Sequence, residues 1–93
     1  MPAAKLLYLE DDHEHCELMA AFLGASGFRV TTARSADEAT AAMAEGRFDV
    51  VIADASMAET ARLHGAQRVV LTRYGERPLD LLSRLRALPR RAP

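Results

Sequence analysis

Two short apolar runs in this chain are each cut off by acid: Leu6-Leu7-Tyr8-Leu9 runs into Glu10-Asp11-Asp12, and Val50-Val51-Ile52-Ala53 runs into Asp54. A brief apolar run without alternation, bounded by polar residues, is the pattern of a strand buried on both faces, and such strands belong to parallel sheets covered by helices. In an open sheet of that kind, side chains just beyond the carboxyl ends of neighbouring strands meet in one crevice. The pattern therefore predicts a fold and an anionic pocket together. Crowded carboxylates repel one another and hold their protons more tightly unless a cation sits among them. A cluster of hard oxygen ligands is what Mg²⁺ requires.

The rest of the chain keeps the alternation. Lys5 to Leu9 reads as a first strand, and His13 to Leu23 as a helix with Leu18, Met19, Phe22 and Leu23 on one apolar face, stopped by the Gly24 and Gly27 region. Arg29 to Ala33 is rich in β-branched residues and reads as a second strand. Ser35 with Glu38 three places on forms a capping-box pattern that opens a helix through Ala39, Ala42 and Met43, ending at Gly46. Val50 to Ala53 is the third strand. Met57 to Leu63 gives only about two helical turns, and Arg68 to Leu71 a fourth strand ending at Thr72. Pro78 suits the first position of a last helix. Leu79, Leu81, Leu82, Leu85 and Leu88 supply its apolar face, and Pro89 ends it. The sum is a small α/β domain with a doubly wound parallel sheet of about four strands and a C-terminal helix.

Ninety-three residues form one domain with a single core and little surplus stability. No apolar stretch approaches the roughly 20 residues needed to cross a bilayer. The N-terminus turns acidic too soon for a signal peptide, and the lone Cys16 has no internal disulfide partner. These features point to a cytoplasmic protein without membrane contact. The net charge of −1 hides an asymmetry: residues 1–59 carry 11 acids against 4 bases, and residues 60–93 carry 2 acids against 8 bases. An acidic mouth at one end and a basic, solvated or partner-facing end at the other follow from that division.

The stretches Leu6 to Asp12, Gly27-Phe28-Arg29-Val30 with Ala33, and Phe48 to Asp54 together resemble, in register, the first half of a receiver domain of two-component response regulators. The separation of Asp11 from Asp54 is also that family's. The resemblance implies a flavodoxin-like receiver in which Asp54 is the phospho-acceptor. Asp11 and Asp54 would bind Mg²⁺ directly, Glu10 would assist through water, and the backbone carbonyl of Ser56 would be a further ligand. Thr72, ending the fourth strand, matches the family's hydroxyl that bonds a phosphoryl oxygen. Phosphoryl transfer calls for these groups, since an in-line carboxylate needs a cation to neutralise the charge on the equatorial oxygens. The implied partners are a histidine kinase or phosphotransfer protein and a downstream protein.

The second half departs from the family pattern. Met57-Ala58 stands where the family has Met-Pro, and the family's Lys-Pro finds only Arg77-Pro78, five residues past Thr72. A parallel crossover takes a dozen or more residues. Residues 1–93 are thus read as one truncated receiver lacking the fourth helix and fifth strand, with Arg77 as replacement for the lysine. Val69-Val70-Leu71 would then expose an apolar edge, an association site. A homodimer through the fourth strand, the last helix or exchange of that helix is expected.

Other readings compete with these. The acids after the first strand could cap the following helix, Asp12 above all. His13, His15 and Cys16 suggest a transition-metal site, but residues two apart on a helix point away from each other. Tyr74 mimics a switch aromatic or is an ordinary packed tyrosine. Arg84, Arg86, Arg90 and Arg91 form a basic end without aromatic interleaving, which favours a solvated face over nucleic-acid contact. Three functions follow, none of them an independent enzyme. They are a stand-alone phospho-accepting signalling protein, a phosphorylation-independent pseudo-receiver serving as dimerisation or adaptor module, and a small nucleic-acid-binding protein using the last helix.

Overall fold

The switch point of the sheet sits where the acids were expected to meet. A computed structural model of the protein describes residues 4–63, 68–73 and 75–88. It contains β1 (Lys5–Leu9), α1 (His13–Ala25), β2 (Arg29–Ala33), α2 (Ala36–Glu45), β3 (Val50–Ala53), α3 (Ala55–Leu63), β4 (Val69–Leu71) and α4 (Pro78–Arg86). The four strands form one parallel sheet in the order β2-β1-β3-β4. The chain leaves β1 toward β2 on one side and returns to β3 on the other. Glu10 and Asp54 therefore follow the two strands between which the strand order reverses, where open α/β sheets form a crevice.

Alternation along the central strands builds two cores. Leu6 and Tyr8 of β1, Val50 and Ile52 of β3 and Val70 of β4 join Cys16, Met19 and Leu23 of α1 and Leu81, Leu82 and Leu85 of α4. Leu7 and Leu9, Val51 and Ala53 face the other way, with Ala33, Ala39 and Ala61 in their cluster. Each buried aliphatic or aromatic side chain stabilises the fold by about 1.5–3 kcal/mol, which explains why β1 and β3 read as unbroken apolar runs. Cys16 is a free, buried thiol whose pKa is pushed up chiefly by burial, as befits a packing residue.

Local chemistry sets the helix ends. Asp12 caps α1, its carboxylate accepting from the His15 N–H at 3.0 Å. At the far end Phe28 N–H donates to Leu23 O and Gly27 N–H to Gly24 O, a Schellman arrangement that requires the positive φ of Gly27, 103°. Ser35 caps α2 through the Glu38 N–H, as its spacing indicated.

Three expectations need correction. Leu18 and Leu79 are 62% and 68% exposed, so the buried stripe of α1 is Cys16, Met19 and Leu23, and that of α4 is Leu81, Leu82 and Leu85, with Leu88 packed beside it. The α3 helix begins at Ala55, two residues earlier than expected, because Asp54 caps it. Val69, not Arg68, opens β4. Pro89, Tyr74, Arg90 and Arg91 lie outside the described residues. Among the described residues no helix is long and apolar enough to cross a membrane.

Candidate functional site at the carboxyl end of the sheet

At the carboxyl ends of β1, β3 and β4 lies a cavity of about 290 Å³. Glu10, Asp54 and Thr72 line it from the strand ends, together with Tyr8, His15, Arg73 and Glu76, over a floor that includes Met19 and Leu81. Thr72 is fixed there by its N–H, which donates to Ala53 O at 2.8 Å. The residue that follows β3 and the one that follows β4 are thereby neighbours on one wall.

The Asp54 carboxylate is oriented by the helix it starts. Its Oδ1 accepts from the Ser56 hydroxyl at 2.6 Å and from the Met57 N–H at 3.0 Å. Among the described residues Oδ2 takes no hydrogen bond from protein, so one oxygen is held and the other is open. Ser56 therefore approaches the site with its hydroxyl. Its backbone belongs to the first turn of α3, directly after Asp54.

Glu10 is half-buried and its pKa is raised, first by burial and then by a hydrogen bond with the Asp11 carboxyl. The Asp12 N–H and the charge of His15 pull the other way, and Glu10 Oε1 accepts from that N–H at 3.2 Å. Asp11 is exposed, its carboxyl adds to the upward shift of Glu10, and it does not line the cavity itself. The carboxyls of residues 10 and 11 thus form a crowded pair beside Asp54. Among the described residues no three His, Cys, Asp or Glu side chains converge in a ready-made metal cage. Mg²⁺ does not demand one, since it keeps several waters and is commonly bound through one or two carboxylates. The donor set is all hard oxygen and fits that ion in kind.

Arg77 is not brought to the site. It caps α4 with its backbone, its side chain is 84% exposed, and its Nε pairs with Asp80 at 3.4 Å. Sequence reasoning missed the charges that are present. Glu76 has a side chain only 6% exposed that accepts both oxygens' worth of contact from Arg84 Nη1, at 2.7 and 2.8 Å, and also bonds the Arg73 N–H. The eight-residue spacing of Glu76 and Arg84 across a turn carries no helical signature, so nothing in the sequence marked them. The Tyr8 hydroxyl lies 3.2 Å from His15 Nε2, and its pKa is raised by burial and by the nearby Glu10 charge. His13 instead meets Glu17 and Arg34, so the two histidines diverge as their spacing implied. Arg84 is engaged by Glu76, which removes one arginine from the basic end.

A doubly wound sheet with acids at its switch point defines a class, and comparison places the chain within it. The chain matches the response regulator receiver domain over residues 6–77. It belongs to that family, whose members are generally signalling modules of two-component systems. It is 39% identical over 54 residues to the transcriptional regulatory protein ZraR of Salmonella typhimurium, a match covering 58% of this chain and 12% of that protein. The chain thus spans a small fraction of the curated relatives it matches. Among solved structures it resembles the receiver domain of the hybrid histidine kinase CckA, with a TM-score of 0.74 and 20% identity over 88% of this chain and 95% of that one. The chemotaxis protein CheY4 of Vibrio cholerae gives 0.67 and 20% over 90% and 97%. The HemR receiver domain of Leptospira biflexa gives 0.67 and 18% over 96% and 98%.

Proposed function

We propose that the protein accepts a phosphoryl group on Asp54 and acts by binding another protein. The observation that carries this reading is the pairing of Asp54 and Thr72 on one cavity wall, with Asp54 Oδ1 tethered by the first turn of α3 and Oδ2 open. Oδ2 attacks the phosphorus of a phosphohistidine on a kinase or phosphotransfer protein. The new O–P bond forms as the P–N bond breaks, and the electron pair leaves with the imidazole, which takes up a proton. Thr72, which lines the same cavity, would donate its hydroxyl to a phosphoryl oxygen, and tethering of Oδ1 fixes the direction of approach. Asp54 and Asp11, with Glu10 through water, would hold Mg²⁺, which supplies positive charge against the equatorial oxygens. The test is intact mass after incubation with a small acyl phosphate and Mg²⁺. Gain of one phosphoryl group that is absent from Asp54→Ala supports the reading; no gain under conditions that label an ordinary receiver overturns it.

A second reading rests on Glu76. Glu76 in the cavity wall commits Arg84 and Arg77 lies outside, so neither arginine is free to meet a phosphoryl dianion. On this reading the chain is a pseudo-receiver that binds its partner without phosphorylation. The same experiment separates the two, because the pseudo-receiver gains no mass and binds its partner equally well as Asp54→Ala.

A further inference from the structure

The outer margin of the sheet is an apolar strand set in a frame of arginines. Hydrogen bonds from Val51 N–H to Arg68 O and from Thr72 N–H to Ala53 O show which side of β4 faces β3. By strand alternation the main-chain groups of Val69 and Leu71 face outward. Among the described residues no strand pairs with that edge. It forms the floor of a groove of about 540 Å³ between α3 and α4, with Arg62 on one wall and Ala87 and Leu88 on the other. Leu71 is 39% exposed.

The charged residues lining the groove are Arg62 and Arg84; Arg84 is paired with Glu76, and among the described residues Arg62 has no such partner. Arg68 and Arg73 bracket the apolar triplet along the strand. Both acids of residues 60–93 are already engaged, Glu76 by Arg84 and Asp80 by Arg77. Among the described residues Arg62, Arg68, Arg73 and Arg86 carry no ion pair with a side chain. A second copy is a poor complement. Two-fold antiparallel pairing of β4 with itself would set Val69 against Leu71 correctly, but it would also turn each Arg-flanked groove onto another, and like charges brought together across an interface oppose association.

We propose that this edge takes an extended segment of a partner protein, with a short β-branched or aliphatic core flanked by acidic residues, which adds as a fifth strand beside β4. Main-chain hydrogen bonds to Val69 and Leu71 supply the pairing, the groove takes the apolar side chains, and the arginines select the flanking acids. With only three residues in β4, the contact is small and its strength depends on those charges. It does not use the Asp54 carboxylate.

The experiment uses the full chain and a fluorescent peptide with a Val-Ile-Val core and two glutamates at each end. Its controls carry lysines in place of the glutamates, or proline at the central position. Anisotropy at low salt is expected to show binding by the acidic peptide alone, weakening as salt is raised. In Arg62→Glu/Arg68→Glu, which alters only side chains outside the core, affinity should fall by at least about tenfold. Hydrogen exchange should slow at the Val69 and Leu71 amides when the acidic peptide is added. Several results overturn the proposal: equal binding of the lysine peptide, no effect of the double charge reversal, or unchanged exchange at those amides. Self-association that protects the same amides in the absence of peptide makes a second copy the occupant. A single-stranded oligonucleotide that displaces the peptide and protects the edge by itself reassigns it to nucleic acid.

Discussion

Arg84 Nη1 stands 2.7 Å from Glu76 Oε1 and 2.8 Å from Oε2, joining the turn that follows β4 to the middle of α4. The same carboxylate accepts the Arg73 N–H at 3.1 Å. One nearly buried anion thus pins the segment carrying Thr72 to the helix that closes the first core. Arg84→Ala leaves that carboxylate without its counter-charge. Because the arginine is 29% exposed, the cost should be about 1–3 kcal/mol, below that of a fully buried pair. Glu76→Gln/Arg84→Leu removes both charges and should recover most of the loss. Urea midpoints of Glu76→Gln, Arg84→Leu and the double variant measure the coupling, and additive effects would show that the pair does not act as a unit.

Glu10 makes stability depend on pH in a direction opposite to that of most carboxylates. Burial and the Asp11 carboxyl raise its pKa above the ordinary glutamate value of 4.5. The native protein therefore holds this proton more tightly than the unfolded chain, and its stabilising contribution is present at acid pH and is lost as pH rises from about 4.5 through the raised value. The difference in unfolding free energy between the native sequence and Glu10→Gln, followed across that window, should move in favour of the variant as pH rises. Millimolar Mg²⁺ at neutral pH should reduce the difference, since a bound cation favours the ionised carboxylate. A difference independent of pH would remove Glu10 from the account.

Much of this organisation was legible in the residues. Apolar runs such as Leu6 to Leu9 and Val50 to Ala53 are unambiguous because both their faces are buried, and Ser35 with Glu38 carried its own capping signal. The acids after β1 and β3 were placed correctly at the strand ends, because strand direction and order fix where a chain emerges. What was not legible depends on tertiary contact. Periodicity alone cannot tell which side of the stripe holding Leu18 or Leu79 meets the sheet. The Glu76–Arg84 pair spans a turn whose path only the packed α4 determines. Arg77, matched by its motif position, lies outside the cavity because it starts α4 and its exposed side chain pairs with Asp80.

Helix α4 offers a direct check on which leucines hold it. Leu81 is 1% exposed and lies in the cluster with Tyr8, Met19 and Ile52, whereas Leu79 is 68% exposed. Leu81→Ala should cost about 2–5 kcal/mol through lost burial and the cavity left behind. Leu79→Ala should change stability by no more than about 0.5 kcal/mol. Thermal or chemical unfolding of the two variants decides it, and comparable losses would mean that α4 docks with a different face.

The hydroxyl of Ser56 competes for the oxygen that a cation would also use. It donates to Asp54 Oδ1 at 2.6 Å, beside the Met57 N–H at 3.0 Å. Ser56→Ala removes one donor and leaves the helix-capping bond in place, so α3 should persist. If Asp54 is a Mg²⁺ ligand, releasing that oxygen should tighten Mg²⁺ binding by about three- to tenfold, the equivalent of one hydrogen bond of roughly 1 kcal/mol. Asp54→Asn should weaken binding in the same titration by taking away the charge. Isothermal titration of the three proteins with Mg²⁺ reads both effects. Affinity unchanged in Ser56→Ala and in Asp54→Asn alike would locate any cation at Glu10 and Asp11 alone, and Asp54 would then serve as the cap of α3 and not as a ligand.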